Sequence, residues 1–182
     1  MKAKNLIFYL KLVSIAFTVF AISSAPLAWC GSGPVNGGAF IPFKIQTLDG
    51  KTLDLVDLKG RPAVINFFAS WCTECRAEAG WFGKEYLAFR DAGVVFVGIA
   101  VQDTKEDAEK FIKEFGIEYP SGLDATGDIA REYRLYGLPK TFIVGKDGRF
   151  SFIRTGIVNE DELYREIKTA LKDGVSQTQR EK

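Results

Sequence analysis

Two rhythms of apolar and polar residues run along this chain. Ala63 to Ala69 (A-V-I-N-F-F-A) and Val94 to Val101 (V-V-F-V-G-I-A-V) are short and almost continuously apolar. Such runs predict strands buried on both faces. Elsewhere the apolar spacing changes to three and four. A helix is predicted from Cys72 to about Arg90. Ala108, Phe111, Ile112 and Phe115 share the face of a second helix, with Asp103 or Thr104 as its cap and Gly116 at its end. Asn159 caps a last helix carrying Leu163, Ile167 and Leu171. Asp49-Gly50 separates Ile45–Leu48 from Thr52–Leu55, and Asp147-Gly148 separates Thr141–Val144 from Phe150–Thr155. Both pairs predict hairpins. Tyr119 to Leu123 predicts a short strand and Gly127 to Tyr133 a short helix. Strands alternating with helices, then a hairpin and a closing helix, predict an α/β fold with a central mixed sheet and helices on both faces.

The first thirty residues follow a different logic. Lys2, Lys4 and Lys11 open the chain, no acidic residue precedes Asp49, and Leu12 to Ile22 is apolar before Ser23-Ser24-Ala25. Basic end, apolar middle and small residues are the order of a signal peptide, so export is expected. Three outcomes stay open. Cleavage after Ala25 meets Pro26. No charge occurs from Leu12 to Trp29, about 18 residues, the length of a tilted membrane span. Leu27-Ala28-Trp29-Cys30 is similar to a bacterial lipoprotein box, with Trp29 where a small residue normally stands. In each case the basic end stays inside and the remainder lies extracytoplasmic, in the periplasm or on the outer face of the cytoplasmic membrane. The expected division is residues 1–30 as signal peptide or anchor, 31–39 as a Gly/Ser/Pro linker, 40–172 as the folded domain and 173–182 as a polar tail.

Composition narrows the chemistry. Lys+Arg is 24 and Asp+Glu 23, a net charge of +1, which argues against nucleic-acid binding through bulk electrostatics. Histidine is absent, which removes Ser-His-Asp and Cys-His nucleophiles and His-ligated metals. With three Cys the chain is not a disulfide-dense scaffold. Two of those three are Cys72 and Cys75, between a buried strand and a helix. A sulfur at a helix start meets free backbone N–H groups and the positive end of the dipole, which stabilise a thiolate. Cys75, one turn on, shares the face and can close a disulfide. Cys72 is thus the exposed attacking thiol and Cys75 the buried resolving one. Half a zinc site and a purely structural disulfide are the alternatives. Zinc would need four ligands with only Cys30 to spare, and a disulfide over so small a loop adds little stability.

Val64 to Cys75 (V-I-N-F-F-A-S-W-C-T-E-C) resembles the thioredoxin superfamily. W-C-x-x-C-R-x-E and Gly137-Leu138-Pro139-Lys140-Thr141-Phe142 resemble, more narrowly, the TlpA/ResA-type extracytoplasmic thiol-disulfide reductases. The resemblance implies a thioredoxin-like fold with an N-terminal β-hairpin and an αβ insert over Asp103 to Asp124. It makes Cys72 and Cys75 the redox pair, with no other cofactor. Pro139 becomes a cis-proline facing the disulfide, leaving the backbone of Leu138 to pair with an extended substrate. Glu78 becomes the acid beside the pair, in place of the buried Asp of cytoplasmic thioredoxins, whose position Asn66 occupies. Trp71 shields the disulfide or packs in the core, and Arg76 is expected to point to solvent. Glu74 stands where many relatives have proline, and Ala79-Gly80 follows Glu78 where an apolar residue and proline are usual.

The function so implied is reduction of disulfides in exported proteins, apocytochrome c among the candidates, with a membrane thiol donor of DsbD/CcdA type restoring the dithiol. Rival readings are a thiol peroxidase, a soft-metal-binding module using Cys72 and Cys75, and an oxidase running the exchange backwards. Ala69-Ser70-Trp71 before Cys72 lacks the Thr and Pro of peroxidatic sites. The acids Glu74 and Glu78 disfavour a thiolate and so favour the reductase direction.

Overall fold

A computed structural model describes residues 33–172 apart from 57 and 59. The expected leader with Cys30, and the tail, lie outside the described residues. Among the described residues no helix is long and apolar enough to cross a membrane.

Strand β3 (Ala63–Phe68) is central because all six of its residues are buried. It pairs in parallel with β4 (Val95–Val101) and antiparallel with β6 (Lys140–Val144). Outside them lie β5 (Ser121–Asp124), parallel to β4, and β7 (Phe150–Thr155), antiparallel to β6. The order is β5-β4-β3-β6-β7, the expected mixed sheet. The N-terminal hairpin, β1 (Lys44–Gln46) and β2 (Thr52–Asp54), forms a two-stranded sheet of its own.

Side chains leave the sheet in two directions. Val64, Phe68 and Ile143 join one core with helices α1 (Thr73–Phe89), α2 (Lys105–Glu114) and α4 (Glu160–Lys172). Ile65, Phe67, Phe142 and Val144 join a second core with the N-terminal segment and Tyr133, just after the short helix α3 (Asp128–Glu132). Asn159 caps α4 as expected, its Oδ1 accepting from the Glu162 N–H at 2.9 Å. In that helix the buried residues are Leu163, Ile167 and Ala170, while Leu171 is only partly buried.

The N-terminal segment runs under the sheet from edge to edge. At the β7 edge Gly37 N–H donates to the Phe150 carbonyl at 2.7 Å, and Phe40 N–H to that of Gly148 at 2.8 Å. At the β5 edge Leu48 N–H donates to the Ser121 carbonyl at 2.8 Å. Both edges are thereby covered, as unpaired edges are aggregation-prone. The close approach of β1 needs glycine at 122, where a Cβ would lie 2.6 Å from Ile45 Cγ1 and 2.7 Å from the Gln46 carbonyl oxygen. Residues 37 and 38 of the expected linker thus pair with the sheet.

One feature of α1 works against stability. Glu85 is 3% exposed, and its Oε2 has no hydrogen-bond partner. Burial raises its carboxyl pKa, Lys84 next to it opposes this, and Glu160 adds to it. A carboxyl with a raised native pKa holds its proton in the folded state after the unfolded chain has lost it, so stability falls as pH rises through that interval. Glu85→Leu is expected to stabilise the fold by about 1–3 kcal/mol, with a larger gain at pH 8 than at pH 5. Urea midpoints at the two pH values measure this, and a variant less stable than wild type at pH 8 would overturn it.

Candidate active site

The redox pair sits where β3 gives way to α1. Cys72 N–H donates to the Ala69 carbonyl at 3.1 Å, closing the turn out of the strand. The helix begins at Thr73, so Cys72 is its N-cap rather than its first residue. Cys72 Sγ accepts from the Cys75 N–H at 3.1 Å. The sulfur therefore occupies the place that Ser or Asp oxygen takes in ordinary caps. Cys72 and Cys75 form a disulfide, with Cα atoms 5.2 Å apart. Cys72 is 7% exposed and Cys75 2%, so in the disulfide form both residues are buried, and Cys72, expected to be exposed, is only the less buried of the two.

Glu78, one turn beyond Cys75 on the same face, is 1% exposed. Asn66 Nδ2 on β3 donates to its Oε1 at 3.0 Å, and the Val158 N–H to its Oε2 at 2.9 Å. Asn66 Nδ2 also reaches Thr141 Oγ1 on β6 at 3.2 Å. Desolvation raises the Glu78 pKa to about 7; the bonds from Val158 and Asn66 oppose this, and Glu74 adds to it. A buried carboxyl close to half-ionised at neutral pH is suited to proton transfer. Thr141 and the backbone of Val158 belong to this network although sequence reasoning did not single them out. Thr141 carries a weak signal two residues after Pro139, whereas a backbone donor has none.

Pro139 stands immediately before β6, and the register Phe67↔Lys140 brings it to the same end of the sheet as the cysteines. The Leu138–Pro139 peptide is cis. The Pro139 carbonyl accepts from the Gly156 N–H at 2.9 Å, and Leu138 is half-buried between the two cores. Trp71 is 59% exposed, so it is not a core residue. Its Nε1 donates to the Gln102 carbonyl at 2.9 Å. Arg76 does not extend freely into solvent. It pairs with Glu114, and its guanidinium lies over Phe115 at 5.1 Å and Phe111 at 5.9 Å. Among the described residues no group of three or more potential metal ligands gathers.

The sequence pattern of the AhpC/TSA family matches residues 37–153, and the chain belongs to that family. The thiol-disulfide oxidoreductase ResA of Bacillus subtilis is 29% identical over 168 residues, 90% of this chain and 93% of ResA. ResA of Geobacillus thermodenitrificans is 25% identical, covering 91% of this chain and 93% of its own. Among solved structures, a thioredoxin-family thiol:disulfide interchange protein of Chlorobium tepidum aligns with a TM-score of 0.69 and 29% identity, over 76% of this chain and 99% of its own. A secreted disulfide oxidoreductase of Mycobacterium tuberculosis, homologous to DsbE of E. coli, aligns with a TM-score of 0.65 and 28% identity, over 70% of this chain and 95% of its own. The fold is thioredoxin-like, and the protein is a thiol-disulfide oxidoreductase of the ResA/DsbE type.

The position of Glu78 gives a pH signature. Between its ordinary value of 4.5 and the folded value of about 7, the native state keeps a proton that the unfolded chain has released. Stability therefore falls as pH rises through that window. Glu78→Gln is expected to remove much of this fall, leaving the part due to Glu85. Urea unfolding of the oxidised protein from pH 4 to pH 8 checks it; an unchanged slope would show that Glu78 ionises normally.

Proposed function

We propose that this protein reduces disulfides of exported proteins outside the cytoplasmic membrane. The observation that carries the reading is a buried carboxyl with a pKa of about 7 one turn from the inner cysteine, beneath a helix-capping Cys72. In the first step the Cys72 thiolate attacks a substrate disulfide. A Cys72–substrate bond forms, and the departing substrate sulfur takes up a proton. Cys75 then gives its proton to the Glu78 carboxylate and attacks Cys72 Sγ. The second substrate thiol leaves, and the Cys72–Cys75 disulfide forms. Two electrons have moved from enzyme to substrate, and the pair itself is the only redox group needed. Regeneration takes two electrons from a thiol donor in the membrane, of the DsbD/CcdA type.

Pro139 and Leu138, at the same end of the sheet as the pair, would offer backbone to an extended substrate, and exposed Trp71 would add contact surface. The leader supports export, and the Mycobacterium relative is described as secreted. Apocytochrome c is one substrate of suitable chemistry, an unfolded chain with a cysteine pair.

Cys75→Ser is expected to accumulate mixed disulfides through Cys72, because the resolving thiol is gone, and Cys72→Ser to abolish reduction of insulin. In the reduced protein Cys72 should alkylate much faster than Cys75. Equal rates at neutral pH would sink the division of roles. A redox titration against glutathione or dithiothreitol should place the pair nearer about −270 mV than about −120 mV. A strongly oxidising value would assign disulfide formation instead. Peroxide consumption without disulfide exchange, or tight soft-metal binding by an inactive pair, would favour the two other readings.

Location is tested separately. A C-terminal alkaline phosphatase fusion should be active, because that enzyme needs an oxidising exterior to form its own disulfides. A well-expressed but inactive fusion would place the domain inside and remove the exported substrates.

A further inference from the structure

The cysteine segment is held from the side by the αβ insert. Asp103, in the turn between β4 and α2, accepts from the Ser70 N–H at 2.6 Å through Oδ2 and from the Ser70 hydroxyl at 2.9 Å through Oδ1. The Thr104 N–H also donates to Oδ1, at 2.9 Å. Asp103 is not the cap of α2. That place belongs to Thr104, whose hydroxyl accepts from the Asp107 N–H at 3.1 Å. The carboxylate is therefore committed to the turn entering the redox helix. Next along the chain, Trp71 Nε1 is bound by the carbonyl of Gln102, a residue with φ of 50°. A side-chain-bearing residue in this left-handed region is strained, and such strain persists only where the surroundings enforce it. On the far side of Cys72, Arg76 is tied to Glu114, Phe111 and Phe115, and its Nη1 donates to the Ser70 carbonyl at 3.4 Å, a weaker hold on the turn than the two bonds to Asp103. Residues on both sides of the attacking sulfur are thus anchored on the insert.

We propose that Asp103 is a positioning residue for thiol-disulfide exchange: by fixing the Ser70-Trp71 turn it keeps the sulfur of Cys72 on the N-terminus of α1. The inference rests on Cys72 being the attacking thiol. Its thiolate is stabilised by free N–H groups only while the sulfur stays at the cap. If the turn is released, that stabilisation weakens and the thiol pKa rises. A direct charge effect has the opposite sign, because removing a nearby anion lowers a thiol pKa. The direction of the shift therefore separates positioning from simple repulsion.

The experiment uses the full chain, reduced, with Asp103→Ala, Asp103→Asn, Ser70→Ala and Thr104→Ala. Alkylation of Cys72 by iodoacetamide is followed against pH and assigned by mass spectrometry, and insulin reduction is followed in parallel. Asp103→Ala is expected to raise the Cys72 pKa by about one unit and slow reduction about tenfold. Asp103→Asn, which keeps an oxygen for Ser70, should stay near wild type. Ser70→Ala should shift both readouts part of the way, and it carries the test if Asp103→Ala fails to fold. Thr104→Ala removes the cap of α2 without touching Ser70, so it should lower the melting temperature but leave both readouts in place. An unchanged or lowered pKa in Asp103→Ala, or an equal shift in Thr104→Ala, would overturn the proposal. Wild-type protein alkylating equally at both cysteines would instead remove the attacking-thiol assignment, and this inference with it. One fast thiol together with an unmoved Asp103→Ala would remove only the positioning role.

Discussion

A carboxylic acid sealed beneath a disulfide is the constraint around which this molecule is arranged. Glu78 is out of water, and an unpaired ionised carboxylate there would be costly enough to be neutralised or expelled. Two donors make the burial tolerable, Asn66 from the central strand and the backbone of Val158 from the loop before α4. Because Asn66 also bonds Thr141, one network joins α1, β3, β6 and the entry to α4. Those elements also carry or flank Cys72, Cys75 and Pro139. The packing of the domain and the proton chemistry of its site therefore depend on the same few bonds. A shift of α4 that withdrew Val158 would change the acidity of Glu78 as well as the core.

The sheet that holds the network is protected by segments with weak sequence signals. β3 and β4 were legible because a run of buried apolar residues has few other readings, and both Asp-Gly hairpins stand where turn chemistry places them. The covering of the two sheet edges by residues 37–40 and 47–48 was not legible. Those contacts are made by backbone N–H groups, which every non-proline residue has, in a glycine-rich stretch without periodicity. Only afterwards does Gly122 make sense, as the position where the hairpin comes too close for a side chain.

The site was legible to different depths. Cys72 and Cys75 could be placed because the chemistry of a helix start depends on local spacing. Resemblance pointed to Glu78, but its environment depends on a donor 80 residues away, beyond any local pattern. A helical-wheel reading would have gone further. Glu78, Phe82, Glu85 and Phe89 are spaced four, three and four apart, so both acids fall on the stripe that faces the core. Asp103 was read as a possible cap because it precedes a helix, and local logic could not choose between it and Thr104. The choice was settled by Ser70, which draws the Asp103 carboxylate away from α2 and towards the redox turn.

The same arrangement bears on the direction of electron flow. A strong oxidant needs a very stable thiolate at the outer cysteine, and cations nearby supply that stability. Arg76 is the cation closest in sequence to the pair, one residue past Cys75, and folded back over Cys72 it would have supported the oxidising direction. Its guanidinium is instead committed to Glu114, to the faces of Phe111 and Phe115, and to the Ser70 carbonyl at 3.4 Å. Two acids oppose the oxidising direction. Glu74 sits in the first turn of α1, and Glu78 lies beneath Cys75. The end of the helix itself also stabilises the Cys72 thiolate, a moderate influence shared with ordinary thioredoxins. Opposed by two carboxyl groups, these favourable influences are modest, which supports the reducing direction proposed above. This is the physical ground for reading the exchange as reduction.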